Sequence, residues 1–196
     1  MDTRHMLPAL IAVTLLSLAP AAEVLALEAH PQQAAAPVAE SSANPKNAIA
    51  PSVQQAQKAY DGGSYEEAFI IVEPLAKMDH PDAQYLLGQM YELGRGVKQD
   101  TDKAVALFTA AANQGYAAAQ AKLGQIHMEG KKDYASAMSW FQKAADQGYA
   151  LAYSAIGDLY AKGYGVEQDK AKAQEYYRKA AKAGDTSAAK HLDETK

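Results

Sequence analysis

The chain has no cysteine, which excludes disulfides and thiolate metal sites. It also excludes the cysteine that a bacterial lipid anchor would require at a signal cleavage site. Bulky aromatics other than tyrosine are scarce: three Phe and one Trp stand against 12 Tyr, so any core must be built largely from Ala, Leu and Tyr. A basic surplus is missing as well. Lys and Arg total 19 against 23 Asp and Glu, a net charge of −4, which argues against a nucleic-acid partner. What remains, rich in Ala, Leu, Lys and Glu across 196 residues, favours helix.

The one extended apolar run lies at the N-terminus. Arg4 and His5 precede an apolar stretch from Met6 to Ala22, interrupted by Pro8 and Pro20. Small residues then offer two cleavage points, Ala19-Pro20-Ala21 and Val24-Leu25-Ala26. Residues 1–26 therefore read as a signal peptide for export, to a periplasmic or secreted location. An uncleaved membrane anchor is the competing reading; the short, proline-broken run and the lack of a stop-transfer pattern disfavour it. Residues 27–51, with Pro31-Gln32-Gln33-Ala34-Ala35-Ala36-Pro37 and Ser41-Ser42-Ala43-Asn44-Pro45, carry little apolar bulk and read as a disordered Ala/Pro/Gln-rich linker.

The rest is periodic. Gly88 recurs as Gly124 and Gly157, spacings of 36 and 33 positions, and Gly94, Gly130 and Gly163 keep the same steps. Paired alanines recur at Ala111-Ala112, Ala144-Ala145 and Ala180-Ala181, each followed by a glycine, at Gly115, Gly148 and Gly184. Such self-similarity marks stacked repeats. The shorter step has a local cause: Gly94-Arg95-Gly96-Val97-Lys98-Gln99-Asp100 shrinks to Gly130-Lys131-Lys132-Asp133 and returns as Gly163-Tyr164-Gly165-Val166-Glu167-Gln168-Asp169.

Each copy reads as helix, turn, helix. Ala83, Leu86, Leu87, Met90 and Tyr91 keep helical spacing over about Asp82 to Leu93, and Gly94 suits a left-handed terminus. Asp100, Asp133 and Asp169 are N-caps for the second helices. Gly88, Gly124 and Gly157 fall inside helices, at about 1 kcal/mol each relative to Ala. A recurring cost implies a recurring close approach, and Phe108, Phe141 and Tyr177 are the large residues to fill it. The repeat domain spans 52–196: a divergent opening unit at 52–79, repeats at 80–115, 116–148 and 149–184, and a polar cap at 185–196. In the opening unit Ile70, Ile71, Val72 and Leu75 supply apolar bulk, and Pro74 is expected to bend or end its helix.

The landmarks Ala83, Leu87-Gly88, Tyr91, Gly94-Arg95-Gly96-Val97, Asp100, Lys103-Ala104, Phe108, Ala111-Ala112 and Gly115 resemble the Sel-one-like repeat, a relative of the tetratricopeptide repeat. Ala152 to Gly184 repeats the pattern with Ile156 for the leucine, while the middle copy lacks the glycine loop and carries His127 for the tyrosine. The resemblance covers roughly Val53 to Leu192. It implies an all-α, right-handed α-solenoid of about four helix pairs plus a C-terminal capping helix, with the first helices lining a concave surface. It also implies an adaptor in protein complexes. Exported bacterial members are similar to factors in exopolysaccharide assembly, envelope signalling, flagellar motors and host interaction. A cysteine-rich branch is linked to β-lactam binding or hydrolysis, and a chain without cysteine departs from it.

No nucleophile, base or metal set stands out, so we expect no enzyme, no cofactor and no metal. His5 falls in the signal and His30 in the linker; His127 takes a packing slot; His80 and His191 belong to no metal spacing. The Gly-x-Gly loops lack the preceding strand and following Lys-Ser/Thr of a phosphate loop, and turns explain them better. The residues flanking the core stripe of each first helix are candidates for protein binding: Asp82, Tyr85, Gln89 and Glu92; Gln125, Met128 and Glu129 beside Ala121; Ser154, Asp158 and Lys162 beside Ala161. A merely solvated face accounts for them equally well. The expectation is an exported scaffold or adaptor of the bacterial envelope with a protein partner, no nucleic acid and no stable membrane insertion. The alternatives are an envelope hydrolase acting on cell-wall or β-lactam substrates and a periplasmic regulator of a membrane sensor.

Overall fold

The computed structural model describes residues 45–194, with side-chain placement for 52–192. The signal-peptide reading of 1–26 and the linker up to residue 44 lie outside the described residues. The described residues fold as nine helices and no strand: α1 (Pro45–Asp61), α2 (Tyr65–Lys77), α3 (Pro81–Leu93), α4 (Thr101–Asn113), α5 (Ala117–Gly130), α6 (Tyr134–Ala145), α7 (Ala150–Lys162), α8 (Lys170–Lys182) and α9 (Ala188–Glu194). Each helix packs on its neighbours in chain order, the topology of an α-solenoid. The described residues are all-α, as the resemblance implies. Helix α1 opens at Pro45, so residues 45–51, read above as the end of the linker, are helical.

Local chemistry sets the helix ends. Pro81 begins α3, where its missing N–H costs nothing. Asp100, Asp133 and Asp169 cap α4, α6 and α8 by accepting from the backbone N–H of Lys103, Ser136 and Lys172 at 3.0, 3.1 and 2.9 Å. Gly94 and Gly163 end α3 and α7 at φ 68°, the left-handed conformation that the spacing predicts. Two details of the opening unit differ from expectation. Helix α2 does not end at Pro74 but runs on to Lys77; the proline only withholds one N–H from the carbonyl of Ile70 in the turn before it. Ile70 is 73% exposed, since the buried stripe of α2 runs Ala68, Val72 and Ala76 and leaves Ile70 on the other side.

The interior glycines meet the aromatics assigned to them. A methyl group at Gly88, Gly124 or Gly157 would lie 2.6 to 2.7 Å from the ring of Phe108, Phe141 or Tyr177. Those rings are almost wholly buried, at 0%, 3% and 2% exposure. Each of the three repeats is therefore closed by a ring lying on bare backbone, at a packing density that leaves no room for a Cβ. Ala112 and Ala145 are buried where the next repeat covers them, while the equivalent Ala181 is exposed beside the short α9.

Two further devices join the repeats. Gln84 Nε2 donates to the Ala76 carbonyl (3.5 Å) at the end of α2, and Gln84 Oε1 accepts from Gln114 Nε2 (2.8 Å). One repeat on, Gln120 Nε2 donates to the Ala112 carbonyl (3.2 Å) and Gln120 Oε1 accepts from Gln147 Nε2 (2.8 Å). These helix-end carbonyls, which already accept from the Asp79 and Gly115 N–H groups, thus gain a second donor from the next repeat. The third copy has Tyr153 and Ala183 at these two places, so both halves of the clamp change together. The glycine loops are the second device. The Arg95 guanidinium donates to the Tyr60 hydroxyl (3.0 Å) and lies 5.3 Å from the Tyr60 and Tyr65 rings; the equivalent Tyr164 stacks on Tyr134 at 4.8 Å.

Candidate protein-binding groove

The first helices α3, α5 and α7 leave a groove of about 430 Å³ between them and the start of the C-terminal cap. Six of the ten candidate residues line it: Tyr85, Gln125, Met128, Glu129, Ser154 and Asp158. The i, i+4 spacing of Gln125 with Glu129 and of Ser154 with Asp158 puts each pair on one helix face. Gln125 Nε2 donates to Glu129 Oε1 at 3.1 Å, and Asp158 Oδ1 accepts from the Tyr177 hydroxyl at 2.7 Å. His191 Nδ1 lies 3.8 Å from Asp158 Oδ1, and its ring stacks on Tyr177.

The other four candidates sit around the groove without lining it. Glu92 is drawn into an ion pair with Lys122 at 2.8 Å. Gln89 Nε2 donates to the Tyr85 hydroxyl at 3.4 Å. Lys162, at the end of α7, holds its ammonium 6.0 Å from the Tyr164 ring. Asp82 lies in the first turn of α3, and its charge contributes to raising the Tyr116 phenol.

The floor is more aromatic and more acidic than the flanking residues alone suggest. Tyr149, Phe141, Leu151 and Asp185 also line the groove, and Leu151 is 56% exposed. Tyr85 packs on Phe108 and Tyr116, with ring centroids 5.6 and 5.3 Å away. Burial, with smaller contributions from Tyr149, Tyr116, Glu92 and Tyr60, pushes its phenol up to about 12. Tyr116 and Tyr149 are raised too, burial being the main cause. Their signal was present in the sequence as a tyrosine after each helix-ending glycine, Gly115-Tyr116 and Gly148-Tyr149.

Asp185 takes that place after Gly184, the third glycine of the series. It is 7% exposed and accepts from the Ser154 hydroxyl and from the Ser187 hydroxyl and N–H. Burial works to raise its carboxyl, but these donors and the Ala188 N–H outweigh it and hold the group below its ordinary value. Ser154 is thereby a donor to a capping carboxylate. Among the described residues, no helix is long and apolar enough to cross a membrane.

The Sel1 repeat matches residues 81–116, 117–149 and 150–185, the three hairpins just described. The chain belongs to the Sel1 repeat family. Proteins of this family are protein-interaction scaffolds. Among solved structures, a Sel1 repeat protein from Oxalobacter formigenes is similar at 36% identity and TM-score 0.68, over 74% of this chain and 62% of that one. A protective antigen of uropathogenic Escherichia coli with the same repeat fold is similar at 29% identity and TM-score 0.66, over 74% of this chain and 32% of that one. An uncharacterized protein of Neisseria meningitidis serogroup B is 30% identical over 65% of this chain and 35% of its own length. The chain thus spans less than two thirds of each of these Sel1-type relatives.

Proposed function

We propose that this Sel1 repeat protein is an exported scaffold of the bacterial envelope, binding a protein partner in the groove between α3, α5 and α7 and performing no chemistry itself. The observation that supports this reading most is the groove. The repeats use their large aromatics and glycines to close the hairpins; Tyr85, Tyr149 and Met128 pack against the core on one side and line the groove on the other, and Leu151 stands exposed beside them. Accessible aromatic and aliphatic side chains of this kind act as anchors in protein interfaces. Export rests on the N-terminal sequence, Arg4 and His5 ahead of the run from Met6 to Ala22.

Two measurements test the two halves. Replacing Tyr85 and Gln89 with Ala is expected to weaken capture of the partner in the native cell while leaving helix content unchanged; undiminished capture removes the groove from the account. Mass spectrometry of the chain recovered from cells is expected to show an N-terminus after Ala21 or Ala26, and an intact Met1 in the mature pool contradicts export by this route.

A further inference from the structure

Charge in the groove is one-sided. Among the described lining residues Glu129, Asp158 and Asp185 are carboxylates, and Lys122 is the single cation. Lys122 is already committed, to Glu92 at 2.8 Å and over the Phe108 ring at 5.8 Å. The donors that bind the three carboxylates at hydrogen-bonding distance are mostly neutral: Gln125 on Glu129, Tyr177 on Asp158, and Ser154 and Ser187 on Asp185. Such donors orient a carboxylate and leave its charge in place. His191 Nδ1 lies 3.8 Å from Asp158 Oδ1. Beside the carboxylates lie Met128, Leu151 and the Tyr85 and Tyr149 rings, apolar surface at the reach of a long aliphatic stem.

We propose that the groove takes a peptide segment that presents lysine or arginine, its cation on Glu129 and Asp158 and its stem along Met128 and Leu151. This rests on the scaffold reading and adds the partner's chemistry to it. An acidic segment would set like charges together in a partly enclosed site, which costs affinity. The low-lying Asp185 carboxyl supports the same preference, since it keeps a third negative charge at the cap end of the groove at neutral pH.

The test uses the full-length mature chain and two fluorescent peptides of equal length, one bearing lysines and the other glutamates at the same places. The lysine peptide is expected to bind, more weakly as salt rises, and the glutamate peptide not to bind. Glu129→Lys is expected to lower the lysine peptide's affinity roughly fivefold or more, and Leu151→Ala to lower it too. Glu67→Lys makes the same charge change on exposed α2, outside the groove lining, and is expected to leave affinity within about twofold. Equal binding of both peptides, binding of neither, or equal effects of Glu129→Lys and Glu67→Lys overturns the proposal. A native partner whose capture depends on Tyr85 and Gln89 but whose bound segment is acidic overturns it as well, and leaves the scaffold reading standing.

Discussion

At the scale of single residues, small changes in the repeat landmarks have opposite signs depending on what faces them. Gly88→Ala gains about 1 kcal/mol of helix propensity, but its methyl group lands 2.6 Å from the buried Phe108 ring. Overpacking of about 1–3 kcal/mol outweighs that gain, so urea denaturation is expected to show a net loss of about 1 kcal/mol. Gly130→Ala, at the end of α5 with nothing within 4 Å, is expected to stabilise by about 0.4–1 kcal/mol in the same assay. Equal responses from the two would break the pairing of glycine with aromatic ring. Ionisation gives a second residue-scale test. Asp185 is depressed in the folded chain, so its contribution to stability is present above the ordinary carboxylate value of 3.8 and is lost as pH falls through the lower folded value. Asp185→Asn should flatten that acid limb of the stability profile. Tyr85 behaves in reverse: its contribution is present below 10.0 and is lost as pH rises toward about 12, and its tyrosinate absorbance should appear only there. The glycine–aromatic pairs were legible in the sequence because an interior glycine at fixed spacing demands a reason. The Gln84–Gln114 and Gln120–Gln147 clamps were not, because a glutamine carries no apolar signal and its partner lies a full hairpin away.

At the scale of elements, the turns hold the repeats together as much as the helices do. Gly96 adopts φ 70°, and a Cβ there would stand 2.5 Å from the Tyr65 carbonyl oxygen, an atom of backbone that cannot swing aside. Gly96→Ala is expected to cost about 2 kcal/mol or more, combining left-handed strain with the clash. Gly115→Ala, at φ 89° with open space around it, carries the strain alone and is expected to cost about 1 kcal/mol. Thermal or urea unfolding of the two variants side by side checks the difference. The middle copy explains why its short turn is tolerated: the loop it lacks would pack on the start of α4, where Thr101 replaces the Tyr65 and Tyr134 that receive the other two loops. Loop and receiver are absent together. Sequence periodicity pointed to three stacked helical hairpins, and three are matched. The exposure of Ile70 was not legible, because the divergent opening unit has no second copy to show which positions face inward.

At the scale of the whole molecule, stacking leaves the two faces of the array with different duties. The hairpin cores are filled by Phe108, Phe141 and Tyr177, and the surface of α3, α5 and α7 exposes Leu151 beside the half-buried Tyr85 and Met128. Six of the ten residues picked from helical phase line the resulting groove; Asp82, Gln89, Glu92 and Lys162 do not, Glu92 being paired with Lys122 and Lys162 lying 6.0 Å from the Tyr164 ring. Tyr149 and Asp185 escaped it because they lie between helices, where phase says nothing. The most direct measurement is hydrogen exchange on the chain alone and in complex with its captured partner. Slowed exchange confined to α3, α5, α7 and the Gly184–Ser187 turn is the predicted result. Protection centred on α4, α6 and α8 would contradict the account and move the working surface to the opposite side of the solenoid.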